Sequence, residues 1–214
     1  MSRIAAKICG LSSAETLDAA IAGGASHVGF VFFARSPRNL SPDQAAGLAA
    51  RVPAHVAKVG LFVDPDPGLV AHVLAVTRLD VLQLHGSEPP ELLHRLRDAH
   101  GLELWKAIPV RTRSDLDLGR AYRGVADRLL YDAKPPRNAA LPGGNGLRFD
   151  WKLLDGHVHP LPWALSGGLD ASNVAEAASI TGARLLDVSS GVERAPGVKD
   201  VDKIAGFLQA VARL

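Results

Sequence analysis

The sequence has 214 residues, 47% of them hydrophobic, which is enough to bury one sizeable core, so a single domain over 1–214 is expected. Its 24 basic and 22 acidic residues leave a formal charge of +2 with no run of like charge, and nucleic-acid binding has no support in that pattern. The one cysteine, Cys9, excludes an internal disulfide or a thiolate metal cluster and suits a reducing cytoplasm, while the N-terminal apolar run is too short for a signal peptide and no later one is long enough to cross a membrane.

Short apolar or β-branched runs occur in chain order at 4–8, 28–33, 59–63, 81–84, 102–108, 129–131, 163–165 and 185–188. Continuous apolar runs of this kind suit strands covered on both faces, as in a parallel sheet flanked by helices. Helix-start signals lie between them: Ser12 with Glu15, and Ser41 with Gln44, are spaced as capping boxes, the second with Pro42 at the first helical position. Leu92, Leu93 and Leu96, and later Ile204, Phe207, Leu208 and Val211, repeat with a helical period. Eight strand–helix units predict an α/β fold closed as a (β/α)₈ barrel, with a doubly wound open sheet as the alternative. The stretch 134–149, rich in Pro and Gly, is a long loop after the sixth strand.

In such barrels the chemistry sits at the C-terminal ends of the strands. Read in order, those ends offer Cys9, Arg35 with Arg38, Asp64, His85, Lys106, Asp132, Ser166 to Gly168, and Asp187 to Gly191. Cys9 serves there as an inert thiol, a base or a nucleophile. Asp132 is either an acid/base group or the ion-pair partner of Lys134, two residues on. Asp64, before Pro65 and Asp66, reads as a helix cap. One of Arg35 and Arg38 is expected to hold a carboxylate by two hydrogen bonds and the other to be solvated. His85 is assigned to the pocket, and the other seven histidines to the surface. The small residues Gly167, Gly168, Ser189 and Ser190, in the loops after strands seven and eight, let backbone N–H groups approach an anion and predict a phosphate site.

Several motifs then carry a resemblance along nearly the whole chain. They are Lys7-Ile8-Cys9-Gly10, Gly29-Phe30-Val31-Phe32 with Arg35-Ser36-Pro37-Arg38, Gln83-Leu84-His85-Gly86, Asp132-Ala133-Lys134, Gly143-Gly144-Asn145-Gly146 with Phe149-Asp150-Trp151, Ser166-Gly167-Gly168-Leu169, and Asp187-Val188-Ser189-Ser190-Gly191-Val192-Glu193. In order and spacing the sequence resembles the phosphoribosylanthranilate isomerases, (β/α)₈ barrels of tryptophan biosynthesis. The resemblance implies that Cys9 is the general base and Asp132 the general acid of an Amadori rearrangement. It further implies that Arg38 binds the anthranilate carboxylate, that Asp187 lines the pocket near the sugar, and that the two glycine/serine loops hold the phosphate.

The implied partner is a phosphorylated small molecule, bound by a monomer or homodimer, with neither metal nor organic cofactor. Cys9 would need a lowered pKa to act as a thiolate, and Lys7 is the candidate to lower it if its side chain reaches the same side. The competing readings fit less well. A broad-specificity barrel isomerase of histidine and tryptophan biosynthesis would carry an aspartate in place of Cys9. A ribulose-phosphate epimerase would carry metal-ligand histidines at several strand ends, and a barrel that only binds sugar phosphates would not need both Cys9 and Asp132.

Overall fold

The computed structural model describes residues 4–136, 139 and 141–214. Eight parallel strands close a barrel: β1 (Ala5–Cys9), β2 (His27–Phe32), β3 (Ala57–Phe62), β4 (Val81–Leu84), β5 (Glu103–Val110), β6 (Arg128–Ala133), β7 (Trp163–Leu165) and β8 (Leu185–Val188). Closure is explicit, since β1 pairs with β8 from Ala5↔Leu185 to Ile8↔Val188, and this rules out the open sheet. The predicted runs match these strands within a few residues. No boundary moves by more than two residues, and the shift at the end of β6, which runs on to Ala133, places Asp132 within the strand.

Six α-helices lie among the described residues: α1 (Ala14–Ala22), α2 (Pro42–Ala49), α3 (Pro67–Thr77), α4 (Pro90–His100), α5 (Val174–Thr181) and α6 (Val201–Ala212). The two helices predicted from leucine and aromatic periodicity are α4 and α6, which bury those residues. The expectation of a helix after every strand needs correction at two places. A 3₁₀ run, Arg113–Tyr122, follows β5, and only the short 3₁₀ turn Trp151–Leu154, packed on α5, follows the long loop after β6. Gly119, which a Cβ would drive into Leu129, lets the first of these runs sit close to β6.

The start signals also needed adjustment. The capping box of Ser41 and Gln44 is present, but α1 is capped by Ser13, whose hydroxyl accepts from the Thr16 amide, so the pairing of Ser12 with Glu15 was one residue early. Asp64 does not cap α3; Asp66 does, and Asp64 accepts from the amide of Ser87 in the loop after β4.

Strand parity sorts the side chains. Val59, Val81, Trp105, Ala107, Leu130, Ala164 and Leu185 form an apolar cluster separate from the main core; they alternate with the residues packed under the helices and fill the barrel interior. Lys7, Cys9, Gln83, Asp132, Ser166 and Asp187 share that inward parity, each two residues or a multiple of two from a member of the plug or from Ala5 beside it. Lys106 has the opposite parity. It faces the helices, where its ammonium donates to Glu88 at 2.9 Å and to the carbonyl of Gly86 at 2.8 Å. Glu88 in turn accepts from the amides of Asp64 and Gly86, so this buried pair fastens the loop that carries His85. Removing one member of such a pair strands the other charge. Lys106→Met should therefore lower unfolding free energy by about 3–5 kcal/mol, measured by urea titration, and the double variant with Glu88→Leu should recover much of the loss.

Candidate active site

Cys9, Arg38, His85, Asp132, Asp187, Ser189 and Ser190 line one pocket at the C-terminal end of the barrel, together with Gly167 and Gly168. The residues proposed from sequence thus converge. Cys9 ends β1, Asp132 lies near the end of β6, and Asp187 sits within β8.

Beneath Cys9, Lys7 is fully buried and donates to Asp187 at 2.8 Å, and Asp187 accepts a second hydrogen bond from Ser166 at 3.2 Å. Burial alone would push Lys7 down, but the Asp187 carboxylate and the Cys9 sulfur together hold it above its ordinary value. For Cys9 burial prevails: it pushes the thiol up, Lys7 pulls it back down, and Asp187 adds to the rise. Lys7 is therefore on the required side, but the expected lowering of the thiol does not follow, because desolvation outweighs one partly neutralised cation.

Asp132 does not pair with Lys134, which turns outward to Asp115 at 2.9 Å. Its Oδ2 meets His85 Nε2 at 3.0 Å, and its Oδ1 accepts from the amide of Ala133 at 2.8 Å. His85 Nδ1 lies 3.0 Å from the Gln83 amide nitrogen.

Arg38 is buried and lines the pocket, whereas Arg35 is exposed and does not. Arg38 donates from Nε and Nη2 to Glu193 at 2.7 and 2.8 Å, and from Nη2 to the carbonyl of Gly144 at 3.1 Å. Among the described residues its hydrogen bonds use Nε and Nη2 and none uses Nη1. Glu193 also accepts from Lys199 at 2.8 Å, and Lys199 donates to the carbonyl and hydroxyl of Ser189 at 2.9 and 3.1 Å. Burial would raise Glu193, yet Arg38 and Lys199 bring it below the usual carboxylate range; Lys199 itself is lowered by burial against the pull of Glu193.

The later part of the loop after β6 faces the pocket. Leu141 to Leu147 line it, and a Cβ on Gly143 would lie 2.5 Å from His85 Nε2 and 2.7 Å from Asp132 Oδ2, so only a glycine brings the loop backbone this near the pair. Gly168 adopts φ +64°, and a Cβ there would collide with Arg148 and approach the Leu147 carbonyl to 2.8 Å. A side chain at Gly168 would thus strike this loop first.

Sequence reading named Ser166 only as part of a glycine-rich turn, not as a partner of Asp187, and missed Gln83, Glu193 and Lys199 as parts of the site. Parity with His85 could have flagged Gln83 and membership of a glycine-rich motif could have flagged Glu193, but nothing local pointed to Lys199, which arrives on a small hairpin (Glu193–Ala195 with Val198–Lys199). The histidines also need correction. His27 packs on Trp105 and is held down at about 4, first by burial and then by Lys7 and Arg128; His159 stacks on Trp163 and is likewise pushed to about 4 by burial.

A family model for N-(5'-phosphoribosyl)anthranilate (PRA) isomerase matches residues 6–210. The enzyme of that name from Rhodospirillum centenum is 55% identical over 209 residues, covering 97% of this chain and 98% of the relative. Its counterpart from Zymomonas mobilis subsp. pomaceae is 54% identical with the same coverage of both chains. The crystal structure of phosphoribosyl anthranilate isomerase from Thermotoga maritima superimposes with a TM-score of 0.87 at 34% identity, covering 99% of this chain and 100% of that one. A phosphoribosyl anthranilate isomerase in complex with reduced 1-(o-carboxyphenylamino)-1-deoxyribulose 5-phosphate gives 0.85 at 33% identity, with the same coverage.

Because Cys9 is the sole cysteine, its ionisation can be followed directly by thiolate absorbance. The thiolate should appear only above the ordinary thiol range, and Lys7→Met should move the midpoint further up by about 1–3 pH units, since it removes the cation that favours the charged form. An unmoved midpoint would separate Lys7 from Cys9.

Proposed function

The chain belongs to the N-(5'-phosphoribosyl)anthranilate isomerase family, and from that premise we propose that Cys9 and Asp132 perform its Amadori rearrangement as general base and general acid. The reaction converts N-(5'-phosphoribosyl)anthranilate to 1-(2-carboxyphenylamino)-1-deoxyribulose 5-phosphate. The observation that carries the assignment is that two proton-handling side chains, from β1 and β6, line one pocket whose other walls offer a buried arginine and two glycine/serine loops.

Asp132 gives its proton to the furanose oxygen as the C1'–O bond breaks, and the nitrogen lone pair forms the Schiff base. Cys9, in the minor thiolate form that burial opposes and Lys7 favours, then takes the C2' proton. The released electron pair enters the C1'–C2' bond, and the iminium is the electron sink, so the chemistry calls for no organic cofactor. The resulting enolamine gives up its hydroxyl proton and gains one at C1' to become the ketone. Cys9 ends with one proton more and Asp132 with one fewer, and exchange with solvent resets both.

Arg38 receives the anthranilate carboxylate on its Nη1 edge, with Glu193 holding the guanidinium plane; Nη2 adds a second hydrogen bond only when it is released from Gly144. His85 contacts the substrate beside Asp132. Asp187 lies next to the reacting sugar, and Gly167, Gly168, Ser189 and Ser190 hold the phosphate, with Lys199 behind Ser189 adding a favourable charge. We also infer one catalytic domain over 1–214 and a cytoplasmic setting, the latter supported by the single unpaired cysteine. Among the described residues no helix is long and apolar enough to cross a membrane.

Cys9→Ala and Asp132→Asn should each lower kcat by about 10²–10⁴-fold while leaving product affinity nearly unchanged, because proton transfer stabilises the transition state and not the ground state. Steady-state kinetics with calorimetric product binding tests this, and wild-type turnover in either variant would remove that residue from the chemistry. Arg38→Ala should instead raise KM, and Arg35→Ala should leave it unchanged. Gly168→Val should sharply weaken phosphorylated ligands, by strain at its positive φ and by displacing the loop at Leu147; normal affinity in that variant would refute the phosphate assignment.

A further inference from the structure

Gln83 is fully buried on the inner face of β4, yet its amide makes one side-chain hydrogen bond, to His85 Nδ1 at 3.0 Å, and its Oε1 has no partner. A buried polar atom without a partner costs about 1–3 kcal/mol, so an apolar residue would be cheaper here unless the amide does something else. Its neighbours in register are Leu61 and Trp105, neither of which offers Oε1 a side-chain partner.

The effect of that single bond follows from imidazole chemistry. An amide N–H can point at Nδ1 only if Nδ1 presents its lone pair. Neutral His85 then carries its proton on Nε2, and Nε2 faces Asp132 Oδ2 at 3.0 Å. In this tautomer His85 is a donor to the carboxyl group. It has no free lone pair with which to take the proton of Asp132, and its N–H stabilises the carboxylate that forms as that proton leaves for the substrate. In the other tautomer Nε2 would be an acceptor, and the acid's proton would be drawn to the ring.

We propose that Gln83 is a positioning residue that pins His85 in the Nε2–H tautomer, so that His85 donates to Asp132 and leaves the proton of the acid for the substrate. This rests on the reading of Asp132 as the acid. The charged groups around the pair are Arg38, Asp187 and the Cys9 thiol in the same pocket, Lys7 beneath them, and Lys106, Glu88 and Asp64, which hold the loop after β4. None of these is hydrogen-bonded to Nδ1, which leaves Gln83 as the group that fixes the tautomer among the described residues.

The test uses ¹⁵N-histidine-labelled full-length enzyme, with His85 assigned by comparison with His85→Asn. Wild type should show Nε2 protonated and Nδ1 unprotonated. Gln83→Glu places a carboxylate against Nδ1 and should protonate it, with kcat at least tenfold lower and KM within about twofold. Gln83→Met keeps the volume without the donor and should give averaged nitrogen shifts from mixed tautomers. It serves as the second variant should Gln83→Glu fold poorly. A protonated Nδ1 in wild type, wild-type nitrogen shifts in Gln83→Met, or full kcat in Gln83→Glu would each overturn the proposal. The nitrogen shifts report the tautomer whatever Asp132 does, whereas turnover in Asp132→Asn reports the role of the acid, so the two failures are distinguishable.

Discussion

The barrel closes where β1 meets β8, and across that seam Lys7 and Asp187 are partners both in strand register and as a buried ion pair. The first and last strands are thus joined by a full charge–charge contact as well as by backbone hydrogen bonds. Burying two charges is expensive, and the pair offsets that cost only while both members remain and their other valences are met. Ser166 supplies one of these valences from β7, and the Cys9 sulfur lies just above on the same strand face as Lys7. The seam therefore fixes the shape of the barrel and the electrostatics of the thiol at once.

A second group of buried charges, Arg38, Glu193 and Lys199, lies at the same end of the barrel and follows the same rule. One carboxylate serves two cations, and through them it touches the loop after β2, the loop after β8 and, by way of Gly144, the loop after β6. The contacts expected to hold opposite ends of the substrate are in this way mechanically connected. Lys106 and Glu88 play a comparable part outside the barrel wall, where they tie down the loop bearing His85 without entering the pocket. Charge buried in this fold is concentrated at the end where loops must be held still, while the opposite end of the bore is filled with aliphatic groups and Trp105.

Much of this was legible in the residues. Strands covered on both faces leave continuous apolar runs, so all eight could be placed, and polar residues at the ends of those runs had few places to go except the open end of a barrel. Local chemistry was less reliable where two candidates adjoin: Ser12 and Ser13, or Asp64 and Asp66, compete for the same cap, and only tertiary contacts decide between them. The helices missing after β5 and β6 were hidden because a 3₁₀ run buries residues at a spacing close to that of an α-helix over one or two turns. The partners that complete the site, Glu193 and Lys199, come from a hairpin whose placement depends on the whole ring being closed. The raised thiol of Cys9 was illegible for a related reason, since desolvation belongs to the assembled pocket and not to a motif.

Cys9 and Asp132 stand on strands separated around the ring by β7 and β8, and the hydrogen-bonded closure of the strands fixes the span between them. That span acts as a ruler which no single loop can stretch. The residues proposed to meet the aromatic and phosphate ends of a ligand, by contrast, sit on connections that can change length and composition without altering strand number or stagger. A barrel of this construction can exchange what it recognises at either end while the gap between the proposed base and acid stays constant. Attempts to re-aim it toward other amino-sugar phosphates therefore belong in the loops after β2, β6, β7 and β8, with the strands left untouched.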